Sequence, residues 1–215
     1  MTDEAALFAV LRFASPGLPI GAFAYSRGME FAVQAGWVCD EASAEGWILG
    51  LIEAVGRQLD GPVFVRLYEA WAAGDEAAVS RWNGFLGACR ESFELRLEDS
   101  QLGAALMRLL GESYRGEVAY ATAFALAMVR HRVPLSAALG ALLWAQAESQ
   151  TSAALRLVPL GQSAGQRILS KVTAVLPGHV EHALVVPEAE IGGFAPGLAL
   201  GSALHETQYT RLFRS

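Results

Sequence analysis

Gly161-Gln162-Ser163-Ala164-Gly165 matches a catalytic pattern, the Gly-x-Ser-x-Gly of a nucleophile elbow. The small residues of that pattern permit a strained turn that exposes the serine hydroxyl. Chain order even allows Glu181, then His182 or His205, to complete a triad. An elbow, however, must follow a buried parallel strand. Here it follows Ala153-Ala154-Leu155-Arg156-Leu157-Val158-Pro159, which reads as the end of a helix and a proline-ended turn. The upstream chain also lacks the alternation of strands and helices that a doubly wound sheet requires. The pentapeptide therefore reads as a loop opening a helix, with a small serine hydrolase using Ser163 as the alternative.

Metal chemistry has a thinner basis. His179 and His182 stand three residues apart and would share a face on a helix, and His205 is a third imidazole. One pair is fewer ligands than a closed transition-metal site needs. The simpler expectation is a solvated turn after Pro177-Gly178, with a nickel carrier built on the three histidines as the rival. Nucleotide chemistry is absent: Lys171, the only lysine, follows Ser170 rather than glycine, and no Gly-x-Gly occurs.

The elements that must carry these residues read as helices. Trp47, Ile48, Leu51, Ile52, Val55 and Leu59 make one apolar stripe. Asp60 is expected to cap a new helix with Pro62 in its first turn, and Val63, Phe64, Leu67, Tyr68 and Trp71 continue the spacing. Gly74 closes that helix and Asp75 caps the next. Leu102, Leu106, Leu109 and Leu110 mark another helix, ended by Gly111. Val118 to Ala147 contains no acidic residue and predicts two apolar helices meeting at Arg130-His131-Arg132 and Pro134. A further helix is expected over Gln162 to Leu176, stopped by Pro177-Gly178, with a loop from Glu181 to Pro196. The mixed charges of Arg90 to Asp99 read as a solvated, ion-paired face. Strand signals are confined to Leu184-Val185-Val186. The expected fold is all-α, one globular domain over residues 1–215 with about eight to ten helices.

Composition agrees. Of 215 residues 53% are apolar and 18% charged, below the usual ~25%, which excludes a disordered chain. A net charge of −6 denies the chain the basic footprint that nucleic acid demands. The longest uncharged run, Val133 to Ala147, falls short of the ~20 residues of a membrane span. Two distant cysteines, Cys39 and Cys89, and an acidic N-terminus without signal character lead to the expectation of a cytoplasmic protein.

Two segments stand apart. Ser15 to Glu30 holds two prolines and several glycines and carries Phe23 and Tyr25, a rigid aromatic loop suited to binding. His205 to Ser215 ends in aromatics and arginines, residue types that anchor interfaces.

At these segments the sequence resembles the UreF family of urease accessory proteins. The resemblance rests on Tyr25-Ser26-Arg27-Gly28-Met29-Glu30 (with Met29 where leucine is common), Arg90-Glu91-Ser92 through Leu95 to Asp99, Arg156 to Arg167, and Tyr209-Thr210-Arg211-Leu212-Phe213-Arg214-Ser215. The third motif contains the Gly-x-Ser-x-Gly and accounts for it without catalysis. The resemblance implies an all-α, non-enzymatic homodimer. It implies binding to the D-type (or H) accessory protein, recruitment and regulation of the G-type GTPase, and delivery of nickel to apo-urease. No permanent cofactor is implied, only nickel in transit. The residues expected at partner surfaces are Phe23, Tyr25, Glu30, Gln162, Gln166, Arg167, Tyr209, Arg211, Phe213 and Arg214. Arg211 is expected to tie the tail to backbone carbonyls of the Gly17–Gly28 loop. Gln162, Gln166 and Arg167 are expected to face either the GTPase or the dimer partner.

Overall fold

The computed structural model describes residues 3–215, and among them there is helix but no strand. The all-α expectation holds. In chain order the helices are α1 (Asp3–Phe13), α2 (Met29–Gln34), α3 (Glu41–Leu51), α4 (Gly61–Ala73), α5 (Glu76–Ala88), α6 (Phe93–Leu109), α7 (Tyr120–Arg130), α8 (Leu135–Leu157), α9 (Gln162–Val185) and α10 (Pro196–His205).

Helix α7 lies at the centre. Every residue from Tyr120 to Met128 is buried, as an all-round apolar helix must be. It packs on α4, α6 and α8, and α8 packs along α9. The N-terminus of α7 has no capping side chain of its own. Its orphan amides are met from neighbours: Asp99 Oδ1 accepts from Tyr120 N at 2.8 Å, and Asn83 Oδ1 accepts from Ala119 N at 2.9 Å.

Helix punctuation follows the sequence at most places. Gly74 is left-handed (φ 69°) after α4, and Asp75 accepts from Ala78 N at the start of α5. Gly111 is left-handed just beyond α6. α7 and α8 meet at the basic turn.

Two expectations fail. Asp60 caps nothing: its backbone is helical and its side chain is fully buried. The helix runs on from α3 to α4 through a π-helical stretch, Ile52–Asp60, in which Gly61 N reaches back five residues to Gly56 O. That wider turn lets Pro62, which has no N–H and whose ring would strike an α-helical carbonyl, follow without a break. Likewise Pro177-Gly178 stops nothing. α9 continues to Val185, so the expected loop begins later, because Val180 and Ala183 are buried beyond the proline, as Leu176 is before it. Tertiary burial outweighs the ~3 kcal/mol that an interior proline costs.

Candidate protein-interaction site

The segment before α2 and the tail after α10 meet. Gly28 adopts φ 74° and packs so closely on α10 that a Cβ there would lie 2.7 Å from Ser202 N. This contact brings Glu30, in the first turn of α2, beneath the tail. Its carboxylate accepts from Leu212 N (2.6 Å) and Phe213 N (2.8 Å). The tail is thus held by its backbone, 182 residues away in sequence.

His205, at the end of α10, has no exposed surface. Its Nε2 lies 3.2 Å from Glu30 Oε2 and its Nδ1 2.7 Å from Glu94 Oε2. A ring bearing both N–H protons donates to both carboxylates; a neutral ring would turn a lone pair on one of them. Glu94 Oε1 in turn accepts from Arg211 Nη1 at 2.8 Å. Arg211 therefore pairs with a glutamate of α6 rather than with the loop carbonyls expected for it. Those carbonyls have other donors: Ala24 O accepts from Arg214 N, and Phe23 O from Arg156 Nη1. Arg156 also lies over the buried Phe213 ring, 4.4 Å from its centroid. Beyond it, Ser215 O accepts from Ser26 N, and Ser215 Oγ donates to Glu98 at 2.8 Å.

The segment Arg90 to Asp99 is not the solvated face expected of it. Glu94 and Glu98 are buried with Leu95, and Arg90 lies between Asp60 and Asp99 (2.8 and 2.9 Å). Burial opposes ionisation of Asp60, but the positive charges of Arg90 and Arg27, with hydrogen bonds from Arg90 and Gln146, outweigh it and hold this carboxyl below the usual range. Burial also works against the Arg90 charge, and the two aspartates more than restore it. Glu98 goes the other way. Burial pushes it up to about 6, and Arg27 and Ser215 offset only part of that.

A signal for these residues was present. Glu94 and Glu98 stand at i and i+4 on the same stripe as Leu95, Leu102 and Leu106, so α6 turns its carboxylates inward.

The candidate residues fall into two regions. Tyr25, Glu30 and Phe213 are buried and position the loop and tail; Tyr25 donates its hydroxyl to Gln101. Phe23, Tyr209, Arg211 and Arg214 are exposed, and Tyr209 makes no shielding contact at all. Leu212 (59% exposed) and Phe93 (66%) are exposed as well, and Glu206, just beyond α10, accepts from Phe93 N. Leu200 and Leu204 are the exposed leucines of α10. Apart from this group, Gln162, Gln166 and Arg167 are exposed on the first turns of α9, with Arg167 forked onto Glu41 of α3 at 2.7 and 2.6 Å.

Ser163 stands on the same exposed turn of α9. No strand precedes it among the described residues, and the histidines that would activate it have other partners. The hydrolase alternative has no support. His179 and His182 lie on a helix, not in a turn. His179 faces Glu53 at 3.5 Å, and His182 meets Arg57 and Gln58. Burial first, then Arg57 and His182, lower the His179 imidazole, against an opposing pull from Glu53. His205 is committed elsewhere, and no group of three potential ligands among the described residues is arranged to hold a metal.

The UreF family model matches residues 38–173. The chain is 45% identical to the urease accessory protein UreF of Azoarcus sp. (strain BH72), over 97% of this chain and 95% of that one. It is 45% identical to the protein of the same name from Alkalilimnicola ehrlichii, over 94% and 92%.

The chain belongs to the UreF family.

The urease accessory protein UreF of Pseudomonas putida (strain W619) is 44% identical and aligned over the full length of both chains. A UreF protein is an accessory factor rather than an enzyme. No helix among the described residues is long and apolar enough to cross a membrane.

Proposed function

We propose that this UreF protein is an adaptor in urease maturation, acting in the cytoplasm as a homodimer. In this reading it binds the D-type (or H) accessory protein, recruits and regulates the G-type GTPase, and so supports GTP-dependent insertion of nickel into apo-urease. Nickel is cargo in transit and not a resident cofactor.

The observation that supports this best is the docked tail. Through the Glu30 carboxylate the backbone of Leu212 and Phe213 is pinned, so that Tyr209, Leu212 and Phe93 stand outward beside α10. Large, partly preordered aromatic and aliphatic side chains around arginines are what interface hot spots are made of. The D-type protein is assigned to this face. The exposed Gln162, Gln166 and Arg167 at the start of α9 are assigned to the GTPase.

Size-exclusion chromatography with light scattering tests the reading. The protein should grow in mass on adding the D-type protein and again on adding the GTPase. Tyr209→Ala together with Leu212→Ala should weaken the first step at least tenfold. A chain that ignored both partners would sink the adaptor reading and leave the fold untouched.

A further inference from the structure

Helix α1 keeps one face without a partner. Leu7, Leu11, Glu4, Phe8 and Arg12 form a continuous exposed arc around it, while Ala9 and Phe13 point into the core. Leu7, Phe8 and Leu11 are 55%, 67% and 58% exposed. Beside this arc, between α1 and α8, runs an apolar groove of about 490 Å³ lined by Val10, Leu11, Pro16, Ala137 and Trp144. Contiguous apolar surface of this kind marks an interaction site, unlike single scattered residues.

The order of residues along the arc says what fits it. It is acidic at the start (Glu4), apolar in the middle and basic at the end (Arg12). Glu4 and Arg12 form no ion pair among the described residues; Arg12 lies over the Phe13 ring. They are eight residues apart, about 12 Å along the axis. Such an arc is complementary to itself when two copies run antiparallel. A twofold axis at the level of Phe8 brings Glu4 of each copy to the level of Arg12 of the other. The leucines and phenylalanines of both then fill the seam. Antiparallel helix dipoles favour the same arrangement.

We infer that α1 pairs antiparallel with α1 of a second copy, with the α8 groove extending the contact around it. This inference rests on the homodimer reading and gives that dimer its surface. It uses elements other than the tail, α2, α6 and α10, so each copy keeps its docking face free.

Light scattering over a range of protein concentrations tests it. The parent chain is expected to be a dimer. Phe8→Glu and Leu11→Glu should each weaken association at least tenfold with an unchanged circular dichroism spectrum, because both side chains are solvent-exposed in the fold. Glu4→Arg and Arg12→Glu should each weaken it by roughly two- to tenfold, and the two together should restore it. A dimer indifferent to Phe8→Glu and Leu11→Glu would overturn the α1 pairing while leaving the homodimer intact. A parent that is monomeric at every concentration would remove both. Failure of the double charge exchange to restore association would overturn the antiparallel register. Loss of D-type binding from Phe8→Glu with the dimer preserved would overturn the α1 pairing itself.

Discussion

Glu30, not Arg211, is the residue on which the tail depends. Two backbone amides and the His205 ring converge on its carboxylate, whereas Arg211 reaches only Glu94 from a half-exposed position. Replacing His205 by alanine leaves the buried Glu30 and Glu94 carboxylates without the ring that bridges them. That should cost about 1–3 kcal/mol in urea unfolding. Arg211→Ala, which removes a partly solvated pair, should cost about 1 kcal/mol or less. Glu98 carries a pH dependence of definite sign. Its folded carboxyl titrates at about 6 against 4.5 for an ordinary glutamate, so the folded chain holds the proton more tightly than the unfolded one. Its contribution favours folding below about pH 4.5 and is lost as the pH rises through about 6. Glu98→Gln should therefore be more stable than the parent by about 2 kcal/mol at pH 7–8, and level with it near pH 4, in urea midpoints compared across that range. Sequence alone picks out Glu30 and the tail through their family motif. The mixed-charge run, ordinarily wet on a helix, masks the i, i+4 spacing that carries Glu94 and Glu98 inward with the α6 leucines, and no local signal marks Arg90 as buried.

Local punctuation predicts the helices well where no buried neighbour competes with it and poorly where one does. Gly74, Asp75 and Gly111 end or begin helices as their types require, because a left-handed glycine or a capping carboxylate acts within one turn. Asp60 and Pro177 carry the same local signals and are overridden. Pro177 sits on the exposed side of α9, so Pro177→Ala should return a backbone hydrogen bond without disturbing packing. It is expected to raise stability by about 1–3 kcal/mol in thermal unfolding. Gly103 shows the opposite case. A Cβ there would lie 2.0 Å from the carbonyl oxygen of Val118, where the chain enters α7 across α6. Gly103→Ala should force the two apart at a cost of about 2–4 kcal/mol, with loss of the Tyr120–Asp99 cap visible as faster amide exchange at Tyr120.

At the scale of the molecule, the two ends of the chain close on each other and share one polar network through α2, α6 and α10. Removing residues 209–215 should leave Glu30 and Glu98 without their tail partners, lower the unfolding midpoint and abolish D-type binding together. If binding survived truncation, the docking face would have to lie elsewhere. Composition and residue order are enough to read the all-helical class, the apolar helices α7 and α8, and the two segments that matter. Each of these is written in composition or in spacings of three and four residues, which a helix converts directly into faces. Long-range packing sets the rest: Asp60 faces Arg90 instead of capping a helix, α9 passes through its proline, and Glu30 meets Leu212. These depend on which distant groups share a buried volume. There, ion pairing and apolar burial outweigh local preferences of about 1–3 kcal/mol.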